Sequence, residues 1–217
     1  MNIDYTTLLS YSINLFELLA VCSAAINYKK YKYSSESYFL HFLILTFIVD
    51  TILGKLVGKY TIINNIWLYY AYTGLSFLFY FWWYHTVLKN TLQKKVIILF
   101  SVLFLLVYFV CGSQVDYHKY VFVLGAVFLL VLTGFHLHDL INADDHALKI
   151  KYKLSFWITI ALVLFNVGMI PFILLSKYFN VWIYNSAFTI ILFFLNLILY
   201  GCYIIGFTWT KTKYNQF

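Results

Sequence analysis

The chain has 217 residues, of which 63% are apolar, 23% aromatic and only 11% charged, against about 45–50% apolar and about 25% charged in an ordinary soluble domain. A water-soluble fold of this size has too much surface to cover with so few polar side chains, which excludes a soluble enzyme, a disordered chain and a disulfide-stapled secreted domain. Seven membrane-spanning helices of about 20 residues need roughly 140 apolar-dominated positions, and 63% of 217 residues supplies them.

The net charge of +7 comes from 15 lysines with no arginine. The lysines lie in short loops, so they read as topology signals rather than a nucleic-acid surface. Without arginine, bidentate clamps on phosphate or carboxylate are disfavoured. Lysine in place of arginine, with abundant Ile, Phe, Tyr and Asn, has the look of an AT-rich genome. Cys22, Cys111 and Cys202 are far apart and form no CxxC pair, so they read as small apolar side chains.

Seven apolar runs follow in order: Tyr5–Asn27, Tyr38–Leu56, Asn65–Leu88, Val96–Cys111, Tyr120–Ile141, Leu154–Leu175 and Val181–Trp209. Most are long enough to cross about 30 Å at 1.5 Å per residue, the fourth being the shortest. The start Met1-Asn2-Ile3-Asp4 lacks the positive n-region of a signal peptide, so the first run is expected to stay as a helix. Eleven lysines fall on one side (Lys29, Lys30, Lys32, Lys89, Lys94, Lys95, Lys149, Lys151, Lys153, Lys211, Lys213) and four on the other (Lys55, Lys59, Lys119, Lys177). The positive-inside rule then predicts one all-α bundle of seven transmembrane helices, N-terminus out and C-terminus in, in a bacterial cytoplasmic membrane. No linker divides residues 1–217, although Lys30-Tyr31-Lys32-Tyr33 and Lys149-Ile150-Lys151-Tyr152, with the later Trp and Tyr pairs, suggest a parallel repeat of 5–88 and 120–209 joined by 96–111. The alternative is that lysines and aromatics mark every membrane interface.

Polar groups are costly in hydrocarbon, so their placement shows which helix faces point inward. Ser10, Asn14 and Glu17 share one face of the first run, and Thr46 and Asp50 one face of the second. Tyr69, Thr73, Ser76 and Tyr80 form a stripe on the third, Asn166 lies in the sixth, and Asn196 and Tyr200 lie in the seventh. Glu17, Asp50, Ser76 and Asn166 each fall about 11–12 residues into their runs, roughly 16–18 Å deep and near the bilayer midplane. The expected ligand-binding set is therefore Asn14, Glu17, Asp50, Ser76, Tyr80, Asn166, Asn196 and Tyr200. Glu17 and Asp50, close together, would share a proton or hold one cation. The competing reading is a structural hydrogen-bond network between helices. A second group, His41, His85, His136 and Asp139, gathers near one face as a candidate metal set, but His136 and His138 diverge on a helix and no HExxH motif occurs.

Seven helices in this orientation resemble the opsin, G-protein-receptor and sugar-permease (PQ-loop-like) groups in topology. The residues separate it from each. The seventh run has no Schiff-base lysine, Asn196-Leu197-Ile198-Leu199-Tyr200 keeps Asn and Tyr without the proline of NPxxY, and Pro171 is the sole proline. Phe156-Trp157-Ile158 and the stretch from Asn196 through Tyr200 to Phe207 are similar to small uncharacterised seven-helix bacterial membrane proteins, a resemblance that implies no activity. With no catalytic motif, the expected function is a ligand-binding sensor or accessory protein that needs no cofactor. It would answer to a small polar or cationic ligand and signal through a membrane or cytoplasmic partner. The alternatives are a small-solute or proton-coupled transporter and, on the histidines alone, a metal-dependent membrane lipid hydrolase.

Overall fold

The computed structural model describes residues 5–54, 66–112, 114–142, 147–175, 178 and 181–215. Among the described residues there are seven long helices and no strand: α1 (Tyr5–Ile26), α2 (Tyr38–Phe47, continued as a π-helix over Ile48–Leu53), α3 (Ile66–Val87), α4 (Thr91–Cys111), α5 (His118–Ile141), α6 (Leu154–Leu175) and α7 (Val181–Trp209). The outer ends of the lysines' second group, Lys55, Lys59 and Lys177, lie outside the described residues.

Six of the seven helices are long and apolar enough to cross a membrane. The exception is α3, which at 22 residues has the length but carries Trp67, Tyr69, Tyr70, Tyr72, Tyr80, Trp82, Trp83 and Tyr84. Those amphipathic side chains have the bulk for a core and the polar tips for a wet site. The fourth run also differs from expectation. Its helix starts at Thr91, because the Asn90 side chain accepts a hydrogen bond from the Leu92 amide at 2.9 Å. That cap carries the polar Gln93, Lys94 and Lys95 into the first turns, where an apolar count ends the run too soon.

The helices α1, α2, α3, α5, α6 and α7 form a closed ring. The ring is held between α2 and α3 by aromatic pairs such as the stacked Phe42 and Phe79, 4.2 Å apart. α4 stands outside this ring against α3 and α5, with only Ile97 and Phe104 fully buried along its length. The densest core lies toward the lysine-rich end, where Tyr31, Phe39, Trp83, Tyr84, Tyr203 and Phe207 are each at most 1% exposed.

Close helix approach depends on small residues, as is usual where helices pack without a hydrophobic driving force between them. A Cβ on Gly125 of α5 would sit 2.7 Å from the Phe77 ring of α3, and one on Gly206 of α7 would sit 2.7 Å from the Trp157 Cβ of α6. The Trp157 Cβ is fixed to the backbone and cannot swing aside. Gly206→Val is therefore expected to lower stability in detergent by about 1–3 kcal/mol, the usual range for overpacking. Gly134→Ala, whose Cβ would meet nothing within 4 Å, should leave the thermal unfolding midpoint unchanged or slightly raised. Equal midpoints for the two variants would contradict this packing.

Candidate functional site

Between the ring helices lies a cavity of about 550 Å³. It spans the middle of the bundle and extends toward the end away from the lysines, where Ser10, Tyr69, Phe122 and Phe188 line it. The aromatic core around Trp83, Tyr84 and Tyr203 fills the bundle on the lysine-rich side. Every ring helix contributes to the lining, and among the described residues α4 contributes none.

All eight residues expected from the sequence, Asn14, Glu17, Asp50, Ser76, Tyr80, Asn166, Asn196 and Tyr200, line this one cavity. Glu17 is its most deeply placed charge-bearing group, 2% exposed. The Tyr200 hydroxyl donates to Glu17 Oε1 at 3.0 Å, and the Asp50 carboxyl lies beside Glu17 in the cavity wall. Three helices, α1, α2 and α7, thus meet at one carboxyl group. Asp50 sits in the π-helical turn Ile48–Leu53, a local widening of the helix that is concentrated at functional sites.

The neutral polar members are satisfied mostly within their own helices. Asn166 Nδ2 donates to the Leu162 carbonyl at 2.7 Å and Asn196 Nδ2 to the Leu192 carbonyl at 2.8 Å. Ser76 Oγ donates to the Tyr72 carbonyl and Thr73 Oγ1 to the Tyr69 carbonyl, each at 2.8 Å. This i to i−4 bonding meets the cost of burying the donors and leaves oxygen lone pairs on the cavity side chains. Tyrosines close the inner end. Tyr72 shares a 2.7 Å hydrogen bond with Thr46, and Tyr84 donates to Thr159 at 3.1 Å.

Tyr72 was not among the expected ligand-binding residues. It lies three residues beyond Tyr69 and four before Ser76, so helical spacing alone puts it on the same stripe. The aromatic liners Phe77, Phe122, Phe165 and Phe188 carry no such mark, because phenylalanine occurs on every face of these helices.

The histidine group does not assemble. Among the described residues no three His, Cys, Asp or Glu side chains come together to hold a metal ion. His41 is exposed on the outer face of α2, His136 is 4% exposed inside the core beside the Trp83 and Tyr84 rings, and Asp139 accepts from Gln93 Nε2 at 3.2 Å. His85 is half-buried near the end of α3. His41 faces outward while His136 faces the core, so the candidates on different helices do not share one face.

The Tyr200 bond to Glu17 is buried and bridges helices far apart in the chain. Tyr200→Phe is expected to lower stability by about 1–3 kcal/mol, the cost of stranding a buried acceptor, as read from thermal unfolding in detergent. Tyr33→Phe, at a position 76% exposed, should change it by no more than a few tenths. A Tyr200→Phe midpoint equal to that of the parent would contradict the assignment.

Compared with protein families, with curated proteins and with solved structures, the chain matched none.

Proposed function

We propose that this chain crosses the membrane seven times, N-terminus outside and C-terminus inside, in the cytoplasmic membrane of a bacterium. In this reading it is a sensor or accessory protein that binds a small organic cation in the cavity and passes its occupancy to a partner chain. The observation that carries the proposal is the placing of Glu17 and Asp50 side by side in the wall of the cavity, with Glu17 held by Tyr200. Two neighbouring carboxyls in a low-dielectric bundle do not both ionise, so in this reading they carry one negative charge, which one positive charge matches. The surrounding Tyr and Phe faces supply cation–π attraction, worth about 0.5–2 kcal/mol each when desolvated. A volume of about 550 Å³ falls in the range of about 300–1,000 Å³ usual for small-molecule sites. The cavity leads away from the lysine-rich end, so with the proposed orientation it takes its ligand from outside. The solid aromatic core on the other side favours reception over passage.

The second reading is a transporter. Its support is the ring of α1–α3 and α5–α7 with α4 outside, the layout that two parallel three-helix copies and a linking helix would produce.

The topology is tested by fusing a reporter active only outside the membrane after residue 215, where no activity is expected, and in the 113–117 loop, where activity is expected. The reverse pattern rejects the orientation. Binding is tested by thermal shift of the purified chain with tetramethylammonium and ethylammonium, against acetate and glucose. Saturable stabilisation by the ammonium ions alone is expected, with affinity at least about tenfold weaker in Glu17→Gln or Asp50→Asn, the loss of roughly one charge contact. No saturable shift, or shifts unchanged in both variants, would reject the cation site. Flux of tetramethylammonium into proteoliposomes would move the assignment to the transporter.

A further inference from the structure

A second concave site lies at the lysine-rich end, apart from the central cavity. It has a volume of about 640 Å³ and is lined by Lys30, Lys151, Tyr152, Lys211 and the Thr208–Thr212 turn. Three lysines converge there from three chain segments, and among the described residues no Asp or Glu lines the site with them. Lys211 Nζ stands 4.1 Å and Lys151 Nζ 5.2 Å from the centre of the same Tyr152 ring. Lys30 Nζ donates to the Thr208 carbonyl at 3.1 Å, which holds its ammonium at the rim and leaves two further N–H donors. Gathering like charges in one concave site is unfavourable unless an anion joins them.

The site is held by buried hydrogen bonds beneath it. Asn215, 4% exposed, accepts from the Leu154 amide at 3.0 Å and donates to the Lys211 carbonyl at 2.8 Å and to Thr210 Oγ1. Thr210, 2% exposed, donates to the Tyr152 carbonyl at 3.4 Å, and the Lys211 amide donates to that same carbonyl at 3.3 Å. Tyr152 stacks on Tyr214 with centroids 5.9 Å apart. These bonds clamp the segment after α7 onto the start of α6, so the Lys151 and Lys211 backbones are fixed before any ligand arrives.

Depth narrows the ligand. Trp209 lines the site, its ring 5.6 Å from that of Trp157, and Trp157 Nε1 donates to the Lys151 carbonyl at 2.8 Å. Trp and Tyr at helix ends mark the headgroup layer of a bilayer. The neighbouring groups at that depth are lipid phosphates, and lysine binds phosphate as a compact point charge. We propose that Lys30, Lys151 and Lys211 form a binding site for the phosphate of an anionic phospholipid headgroup, with the Thr208 and Thr212 hydroxyls available as further donors. Basic pockets between helices on the lysine-rich side are a recurring way to hold such headgroups. The proposal does not depend on what occupies the central cavity.

The test uses the full chain purified in dodecyl maltoside and counts bound phosphatidylglycerol and phosphatidylcholine by native mass spectrometry. Inorganic phosphate and glycerol 3-phosphate serve as competitors. Two triple variants remove the same charge: Lys30→Gln with Lys151→Gln and Lys211→Gln inside the site, and Lys32→Gln with Lys94→Gln and Lys95→Gln outside it. Phosphatidylglycerol is expected to bind at least about tenfold more tightly than phosphatidylcholine, since each lysine near an anionic surface is worth about 1 kcal/mol. The first triple should abolish that preference and the second should change it by about twofold or less. Should the first triple fail to fold, Lys151→Gln alone should weaken binding by about threefold. Competition by inorganic phosphate or glycerol 3-phosphate at low concentration, through the same lysines, would keep the phosphate chemistry and overturn the lipid as its source. Equal loss in both triples, or no preference for phosphatidylglycerol together with no phosphate binding, would overturn the site.

Discussion

The arrangement depends on satisfying Glu17 without water. A carboxyl 2% exposed at the middle of a membrane helix costs about 2.5–3.5 kcal/mol even on the lenient insertion scale, so its partners must come from the protein. Tyr200 of α7 supplies a hydrogen bond, and Asp50 of α2 lies beside the same carboxyl, which brings three helices to one level. Once those are set, the amides of Asn166 and Asn196 and the hydroxyl of Ser76 fall on the same enclosed space. The hydrophobic effect cannot choose between helix faces in lipid as it does in water; the polar groups make that choice.

Aromatic side chains divide the labour along the bundle axis. Near the lysine-rich end Phe39, Trp83, Tyr84 and Phe207 are fully enclosed and pack edge to face, as with Phe39 and Trp83 at 4.9 Å. Around the cavity Tyr69, Tyr72 and Tyr80 leave a polar tip toward the open space. One residue class therefore builds both a plug and a wall. This explains why α3, richest in these residues, is the one of the seven helices that falls short of an apolar membrane span while carrying much of the site.

Much of this is legible in the amino-acid order. The apolar runs end where the loops begin, and the depth of Glu17, Asp50, Ser76 and Asn166 can be counted because helical rise is constant. That count brings acids from two antiparallel helices to one level, and the structure has them in contact. The start of α4 was not legible from hydropathy, since its first turns are polar and rest on the Asn90 cap. The π-helical turn holding Asp50 has no compositional mark at all, because it depends on how α2 meets its neighbours. The histidines show the opposite failure. Closeness in depth suggests a group, while their rotation about the helix axes separates His41 from His136.

The position of α4 outside the ring has a mechanical consequence. Because α4 runs back along the outside, α3 and α5 lie side by side pointing the same way, and so do α7 and α1 where the ring closes. Taken as two blocks of three helices, α1–α3 and α5–α7 thus meet along two parallel seams. Aligned helix dipoles repel along such seams, so side-chain contacts must hold them. One seam has Glu17 with Tyr200 and Lys30 with Thr208; the other has Phe77 seated on Gly125 and the Trp83 and Tyr84 rings against His136. Any rocking of one block on the other would shear these two lines and leave α4 as the strap between them.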